Sequence, residues 1–346
     1  MTNHNPVNER IKRKYLIFQK EAKRKSEATI DAIAKSLARF EEYTKWKDFK
    51  RFRYEQAIGF KQHLASQVNG RTDKPLSLST ISATLNHLKQ FFGWLSDKPG
   101  YKSRLNYTDA EYFNLSEKDA RIATARRPKQ VPTIAQIRHV IQNMPSGNDI
   151  ELRNRALIAF TLLTGARDSA IASLSLKHVD LIERSVFQDA REVKTKFSKT
   201  FTIWFFPVGD DIEEIVREWV THLRETLLWG NEHPLFPATR VDLGNDRQYS
   251  AQGLKHEHWR TTTSIRRIFK EAFQGAGLNY YNPHSFRDTL AQLGERTCRT
   301  PEQFKAWSQN LGHENVLTTF TSYGEVSQGR QKEILGLIGR DGQTVG

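Results

Sequence analysis

The chain has 346 residues, more than one domain usually holds and a typical length for two. It carries 53 Lys and Arg residues against 39 Asp and Glu, a formal net charge of +14. We find no run of about eighteen apolar residues that would predict a transmembrane helix, and no leader with the pattern of a signal peptide. The single cysteine, Cys298, excludes an intrachain disulfide and a Cys-based zinc site, and we therefore expect a cytoplasmic protein.

The positive charge is concentrated near the N-terminus. Residues 1–131 hold 27 basic and 14 acidic side chains, whereas residues 132–346 hold 26 and 25. A localised basic excess favours a polyanionic partner, most often nucleic acid. The alternative is a charged surface that serves only solubility.

The first third is predicted to be helical. Apolar residues recur at helical spacing in residues 27–43 and again in residues 79–95, where Ser79 or Thr80 is the expected N-cap. A third helix is expected within residues 53–68. The positions expected to face the core are Ile30, Ile33, Leu37 and Phe40, then Ile81, Leu85, Leu88, Phe92 and Leu95. We interpret residues 1–116 as a helical DNA-binding domain.

Residues 117–131 combine weak apolar periodicity with a basic cluster, which predicts a linker. Residues 132–346 then have a mixed pattern of helices and one β-hairpin. The second arm of that hairpin alternates Phe201, Ile203 and Phe205 with polar or outward-facing residues. The expected fold class is mainly α with a small β-hairpin or sheet (α+β).

Several candidate chemical groups lie in this second part. Arg167 follows Gly165 in an apolar segment, and His284 and Arg287 are three residues apart in "NPHSFRDTL". Arginine is rarely buried alone, so Arg167 is expected either to pair with a carboxylate or to await a phosphate. Thr300, Pro301 and Gln303 predict a capped helix that ends at Gly312, and His313 follows it directly; Tyr323 comes ten residues later.

Taken in order, "TGARDSAIASL", "HSFRDTLAQLG", "LGHEN" and "SYGEV" resemble the motifs of the tyrosine recombinase (phage integrase) family. The resemblance implies a helical core-binding domain followed by a catalytic domain in residues 132–346 with a C-terminal tail helix. It also implies that Arg167 and Arg287 grip a phosphate, that His284 and His313 are the two active-site histidines, and that Tyr323 is the nucleophile.

The family places its active-site lysine in a β-hairpin loop. Here "VKTKFSKTF" offers Lys194, Lys196 and Lys199. We choose Lys196, at the expected end of the first arm, and keep the other two as alternatives.

The resemblance implies a site-specific recombinase that acts on double-stranded DNA through a 3′-phosphotyrosine and a Holliday junction. Integration of a mobile element is the expected use. No cofactor, metal ion or ATP is expected, because arginines supply the positive charge that a metal would bring. The expected partners are specific DNA sites, a homotetramer on two sites, and accessory bending or directionality factors, with the protein associated with the nucleoid.

Three other functions would account for parts of this sequence. A non-catalytic DNA-binding regulator fits the charge but needs none of the motif residues together. A type IB topoisomerase-like enzyme would share the chemistry without the tetramer. A metal-dependent nuclease is disfavoured because "HEHW" at 256–259 is not an HExxH motif, although a His or Trp there would suit contact with DNA.

Overall fold

The computed structural model describes residues 4–70, 73–125, 130–243 and 249–313. The chain divides into two compact units, Met1–Arg126 and Arg127–Gly346, each with its own apolar core. Both units are mainly helical and the second adds small antiparallel sheets, which confirms the predicted fold class. Among the described residues, no helix has the length and apolar composition needed to cross a membrane.

The first unit is mainly helical in its described part. Ser77 caps the fourth helix by accepting a hydrogen bond from the Thr80 amide at 3.1 Å, so the expected cap at Ser79 or Thr80 was wrong, because both residues already lie within the helix. The five helices are α1 (Pro6–Ile17), α2 (Glu27–Tyr43), α3 (Tyr54–Ser66), α4 (Leu78–Ser96) and α5 (Glu117–Thr124).

Aromatic rings fill the core of this unit. Phe52 stacks on Phe92 with ring centroids 3.8 Å apart, and on Phe113 at 5.4 Å. The expected core positions of α2 and α4 are buried, except Ile30, which is half-buried. Most Lys and Arg side chains stay exposed, so the basic excess of this segment lies at its surface.

Part of the expected linker is a helix. The Ser116 side chain accepts a hydrogen bond from the Asp119 amide at 3.1 Å and so begins α5, which packs against α4. This helix buries none of its residues, which explains why it has no apolar periodicity.

The second unit surrounds a larger apolar core. Its helices are α6 (Ile134–Asn143), α7 (Asp149–Thr164), α8 (Asp168–Ile171), α9 (Asp210–Thr221), α10 (Thr263–Gly275), α11 (Ser285–Thr297) and α12 (Pro301–Asn310). Its strands are β1 (Val179–Asp180), β2 (Ser185–Gln188), β3 (Phe201–Trp204), β4 (Thr239–Leu243) and β5 (Tyr249–Leu254).

The predicted hairpin is present as β2 and β3, which pair antiparallel beside β1, with Val186 opposite Ile203. Ile203 is buried and Trp204 is exposed, as the alternation predicted. The first arm ends earlier than expected, at Gln188, so Lys196 lies in the connection between the strands, at the start of a 3-10 turn. The β4–β5 pair was not predicted.

Candidate active site

A tight turn at Gly165 brings three segments of the second unit together. Gly165 ends α7 in the left-handed conformation, with φ of 60°. A Cβ atom there would lie 2.9 Å from Leu290 of α11 and 3.0 Å from Leu311, just after α12. Glycine therefore lets the backbone beside Arg167 approach both helices closely.

Arg287 ties these three segments together. It lies in the first turn of α11 and is only 3% exposed. Its Nη1 donates to the carbonyl oxygen of Gly165 at 2.5 Å, and its Nη2 donates to the carbonyl oxygen of Leu311. Because a guanidinium is planar and rigid, these bonds fix its orientation.

The same guanidinium reaches His313. Nη2 of Arg287 lies 3.2 Å from Nε2 of His313 and donates to it, which places the ring proton on Nδ1. Burial, followed in decreasing order by the charges of Arg287, Arg167, His284 and Lys196, lowers the pKa of His313 to about 4. His313 is therefore neutral at physiological pH, and the charged groups that act on it are all cationic.

Arg167 is half-buried at the start of α8, and burial lowers its pKa. The neighbouring carboxylate of Asp168 is taken by Arg266, whose Nη2 lies 2.8 Å away. Within the described part of the chain, no carboxylate forms an ion pair with Arg167. The alternative expectation, that Arg167 pairs with a carboxylate in a structural ion pair, therefore finds no such carboxylate among those residues.

The connection between β2 and β3 brings one of the three candidate lysines to this cluster. Lys196 lies near enough for its charge to lower the pKa of His313. Lys194 instead acts on the pKa of His258. Of these two lysines, Lys196 is thus the one whose charge acts on His313.

His284 precedes α11 and is exposed, one helical turn before the buried Arg287. It lines an open cleft of about 450 Å³ together with Tyr280, Asn282 and Asp288. His284 thus faces solvent, whereas Arg287 is buried and held by hydrogen bonds in the core.

The structure therefore brings Arg167, Lys196, His284, Arg287 and His313 to one place, although they span about 150 residues of sequence. Tyr323 and the tail expected to form a helix lie outside the described residues.

Sequence reasoning missed the polar contacts that hold these groups, among them the pairing of Asp168 with Arg266 and the carbonyl partners of Arg287. Single contacts between distant segments leave no periodic pattern. The ring of Trp259 is only 6% exposed and packs on the guanidinium of Arg153, whose Cζ is 5.1 Å from the ring centroid, so little of this ring is accessible to DNA.

Residues 129–330 match the family described as the phage integrase family, and this match covers more than half of the chain. The chain therefore belongs to the phage integrase family. The chain is a DNA breaking-rejoining tyrosine recombinase, and the relatives most relevant to this assignment carry that class in their names.

Two of these relatives are named tyrosine recombinase XerC. The protein from Halalkalibacterium halodurans is 23% identical over 324 residues, covering 92% of this chain and 94% of the relative. The protein from Lactobacillus delbrueckii subsp. bulgaricus is 24% identical over 251 residues, covering 72% of each.

Solved structures support the fold. A Tn1549 transposon integrase in complex with transposon right end DNA aligns with a TM-score of 0.62 at 16% identity, covering 95% of this chain and 98% of that one. A lambda integrase dimer bound to a COC′ core site aligns with a TM-score of 0.61 at 11% identity, covering 92% and 96%. At these identities the likeness concerns the fold alone.

Proposed function

We propose that the chain is a site-specific recombinase in which Tyr323 attacks a DNA phosphodiester and forms a 3′-phosphotyrosine. The observation that carries this proposal is the cationic cluster around His313, where Arg287 donates to the ring and the charges of Arg167 and Lys196 also act on it. Such a cluster matches the charge that builds up on phosphate oxygens during attack.

The two arginines hold the scissile phosphate. Arg287 is fixed by two backbone carbonyls, so its orientation is set before DNA binds. Arg167 forms no ion pair among the described residues, which leaves its charge available to a phosphate oxygen. Preorganised donors of this kind are typically each worth about 10²–10³ in rate.

His284, His313 and Lys196 accept or donate protons and hydrogen bonds during the reaction. A tyrosine hydroxyl ordinarily has a pKa of about 10, so attack by Tyr323 needs a proton acceptor, for which the exposed His284 is suited. The neutral His313 donates a hydrogen bond from Nδ1 to a nonbridging oxygen and helps to position Tyr323. Lys196 protonates the leaving 5′-oxygen.

The covalent intermediate conserves the energy of the broken bond. A 5′-hydroxyl from a second DNA strand then attacks the phosphotyrosine and reseals without ATP. The arginines bring the positive charge, so we propose no metal ion or cofactor. Two rounds of exchange proceed through a Holliday junction.

The assembly is a homotetramer that joins two recombination sites, in the cytoplasm with the nucleoid, aided by accessory bending or directionality factors. Residues 1–116 bind DNA through their basic side chains. Residues 117–131 connect them to residues 132–346, which carry out the cleavage and include the tail helix. Solved complexes of integrases with transposon and core-site DNA support such a DNA partner. Integration of a mobile element is the proposed use.

The test uses nicked duplexes drawn from the DNA that flanks the gene, built so that the cleaved fragment diffuses away. Wild type is compared with Tyr323→Phe on a denaturing gel. A protein–DNA adduct in wild type alone supports the proposal. An adduct that persists in the variant shows that another residue is the nucleophile, and tight binding without any adduct favours a non-catalytic regulator.

Strand exchange separates a recombinase from a topoisomerase-like enzyme. Two duplexes with distinguishable flanks are mixed with the wild-type protein. Recombinant products and four-way junctions support the proposal, whereas relaxation of a supercoiled plasmid without exchange refutes it.

A further inference from the structure

The loop that leads to Lys196 is fastened to the chain that follows Arg167. This loop, residues 189–195, follows β2, and three of its residues make the attachment: Glu192, Val193 and Lys194. None of these contacts takes part in the chemistry proposed above.

Glu192 is gripped by two basic residues of the turn Leu176–His178. Its carboxylate lies 2.8 Å from Nζ of Lys177 and 3.1 Å from Nε2 of His178. The hydrogen bonds from Lys177 and His178 outweigh the effect of burial and lower the pKa of Glu192, so the carboxylate is ionised at neutral pH.

His178 is oriented to make this bond. It is only 5% exposed, and its Nδ1 accepts a hydrogen bond from the Ser175 amide at 2.9 Å. The proton of the neutral ring therefore lies on Nε2, which donates to Glu192. A backbone amide on one side thus sets the direction of the donor on the other.

The next two residues complete the attachment. Val193 is 2% exposed and belongs to the core of the second unit. The Lys194 amide donates to Oγ of Ser173 at 2.9 Å, and Ser173 lies six residues after Arg167. The loop is thus fixed up to two residues before Lys196, against the same segment that carries Arg167.

We propose that Glu192, held by Lys177 and His178, is a positioning residue that sets the place of the Lys196 ammonium against the leaving 5′-oxygen. The inference rests on the proposed role of Lys196. In that step the Tyr323 oxygen bonds to phosphorus, the bond to the 5′-oxygen breaks with its electron pair on oxygen, and Lys196 supplies the proton.

A sulfur atom in place of the leaving 5′-oxygen tests this assignment, because a thiolate leaves without being protonated. The probe is the flanking-DNA duplex after its scissile phosphate is mapped, prepared with oxygen or sulfur at that bridge. Glu192→Ala is compared with Glu192→Gln, which keeps an acceptor for both basic residues. Glu232→Ala is the matched control, since Glu232 also pairs with Lys177 at 2.8 Å but lies outside the loop.

On the oxygen substrate we expect Glu192→Ala to cleave about tenfold more slowly, part of the ~10²–10⁴-fold effect of a general acid. On the sulfur substrate its rate returns to that of wild type. Glu192→Gln and Glu232→Ala cleave both substrates like wild type. Equal slowing on both substrates, or no slowing on either, overturns the inference.

Lys196→Ala separates this inference from the proposed function. If sulfur rescues Lys196→Ala but not Glu192→Ala, the positioning role fails while the role of Lys196 stands. If sulfur rescues neither variant, Lys196 is not the acid.

A measurement without DNA adds a second criterion. Amide hydrogen exchange in residues 189–196 is expected to speed up in Glu192→Ala and to stay unchanged in Glu232→Ala. Unchanged exchange in Glu192→Ala would contradict the attachment itself.

Discussion

Gly165→Ala tests the close approach on which the active site is built. Alanine in the left-handed conformation costs about 1–2 kcal/mol. The added Cβ would also lie 2.9 Å from Leu290 and 3.0 Å from Leu311, both fully buried, and overpacking of this kind costs about 1–3 kcal/mol. We therefore expect a total loss of about 2–5 kcal/mol in the free energy of unfolding.

Gly277→Ala provides the matched control. Gly277 has φ of 70°, but a Cβ there would meet no described atom within 4 Å. Its expected loss is about 1–2 kcal/mol, from backbone strain alone. Urea unfolding of the full chain, followed by circular dichroism, measures both variants on one scale.

The difference between the two glycine variants isolates the packing contribution. Because the Gly165 carbonyl accepts from Arg287, Gly165→Ala should also slow adduct formation more than Gly277→Ala does. Equal losses of stability in the two variants would refute the close approach of the three segments.

Three further results are expected. Arg287→Lys should slow adduct formation about 10²–10³-fold while DNA binding in a gel-shift assay persists, because the three donors of an ammonium cannot serve two carbonyls, His313 and a phosphate together; an unchanged rate would contradict this geometry. Among the loop lysines, Lys196→Ala should slow cleavage far more than Lys194→Ala or Lys199→Ala. The reverse order would assign the role of the active-site lysine to Lys194 or Lys199. The folded pKa of His313 is about 4 against an ordinary 6.5, so only the unfolded chain takes up its proton between these values, and stability should fall as pH drops through this window. His313→Gln should weaken that dependence in urea unfolding at pH 7 and pH 5, and an identical slope would refute the shift.

The helices that bury an apolar face, and the chemical groups of the site, were predictable from the sequence. Helices such as α4 bury one face, so apolar residues recur at their spacing. The glycine–arginine and histidine–arginine motifs are local in sequence and can be recognised without knowing where they meet. The assignment of roles to Arg167, Lys196, His284, Arg287, His313 and Tyr323 stays a prediction.

Helices and strands that bury no apolar face were not predicted from the sequence. The strands β4 and β5 expose almost all of their residues, so no alternation marks them. Helix α5 within the expected linker was not predicted for the same reason, although Ser116 and Asp119 have the spacing of a helix cap. The position of Lys196 depends on contacts such as that between Lys194 and Ser173, which only the folded chain brings together.

The two carbonyl partners of Arg287 have a consequence for biosynthesis. Gly165 lies 122 residues before Arg287, and Leu311 lies 24 residues after it. Contacts between segments so far apart form late in folding. A growing chain that has not yet been synthesised as far as Leu311 therefore lacks one of the two carbonyls that orient this guanidinium, and the cluster of Arg287 and His313 forms only after that point of synthesis.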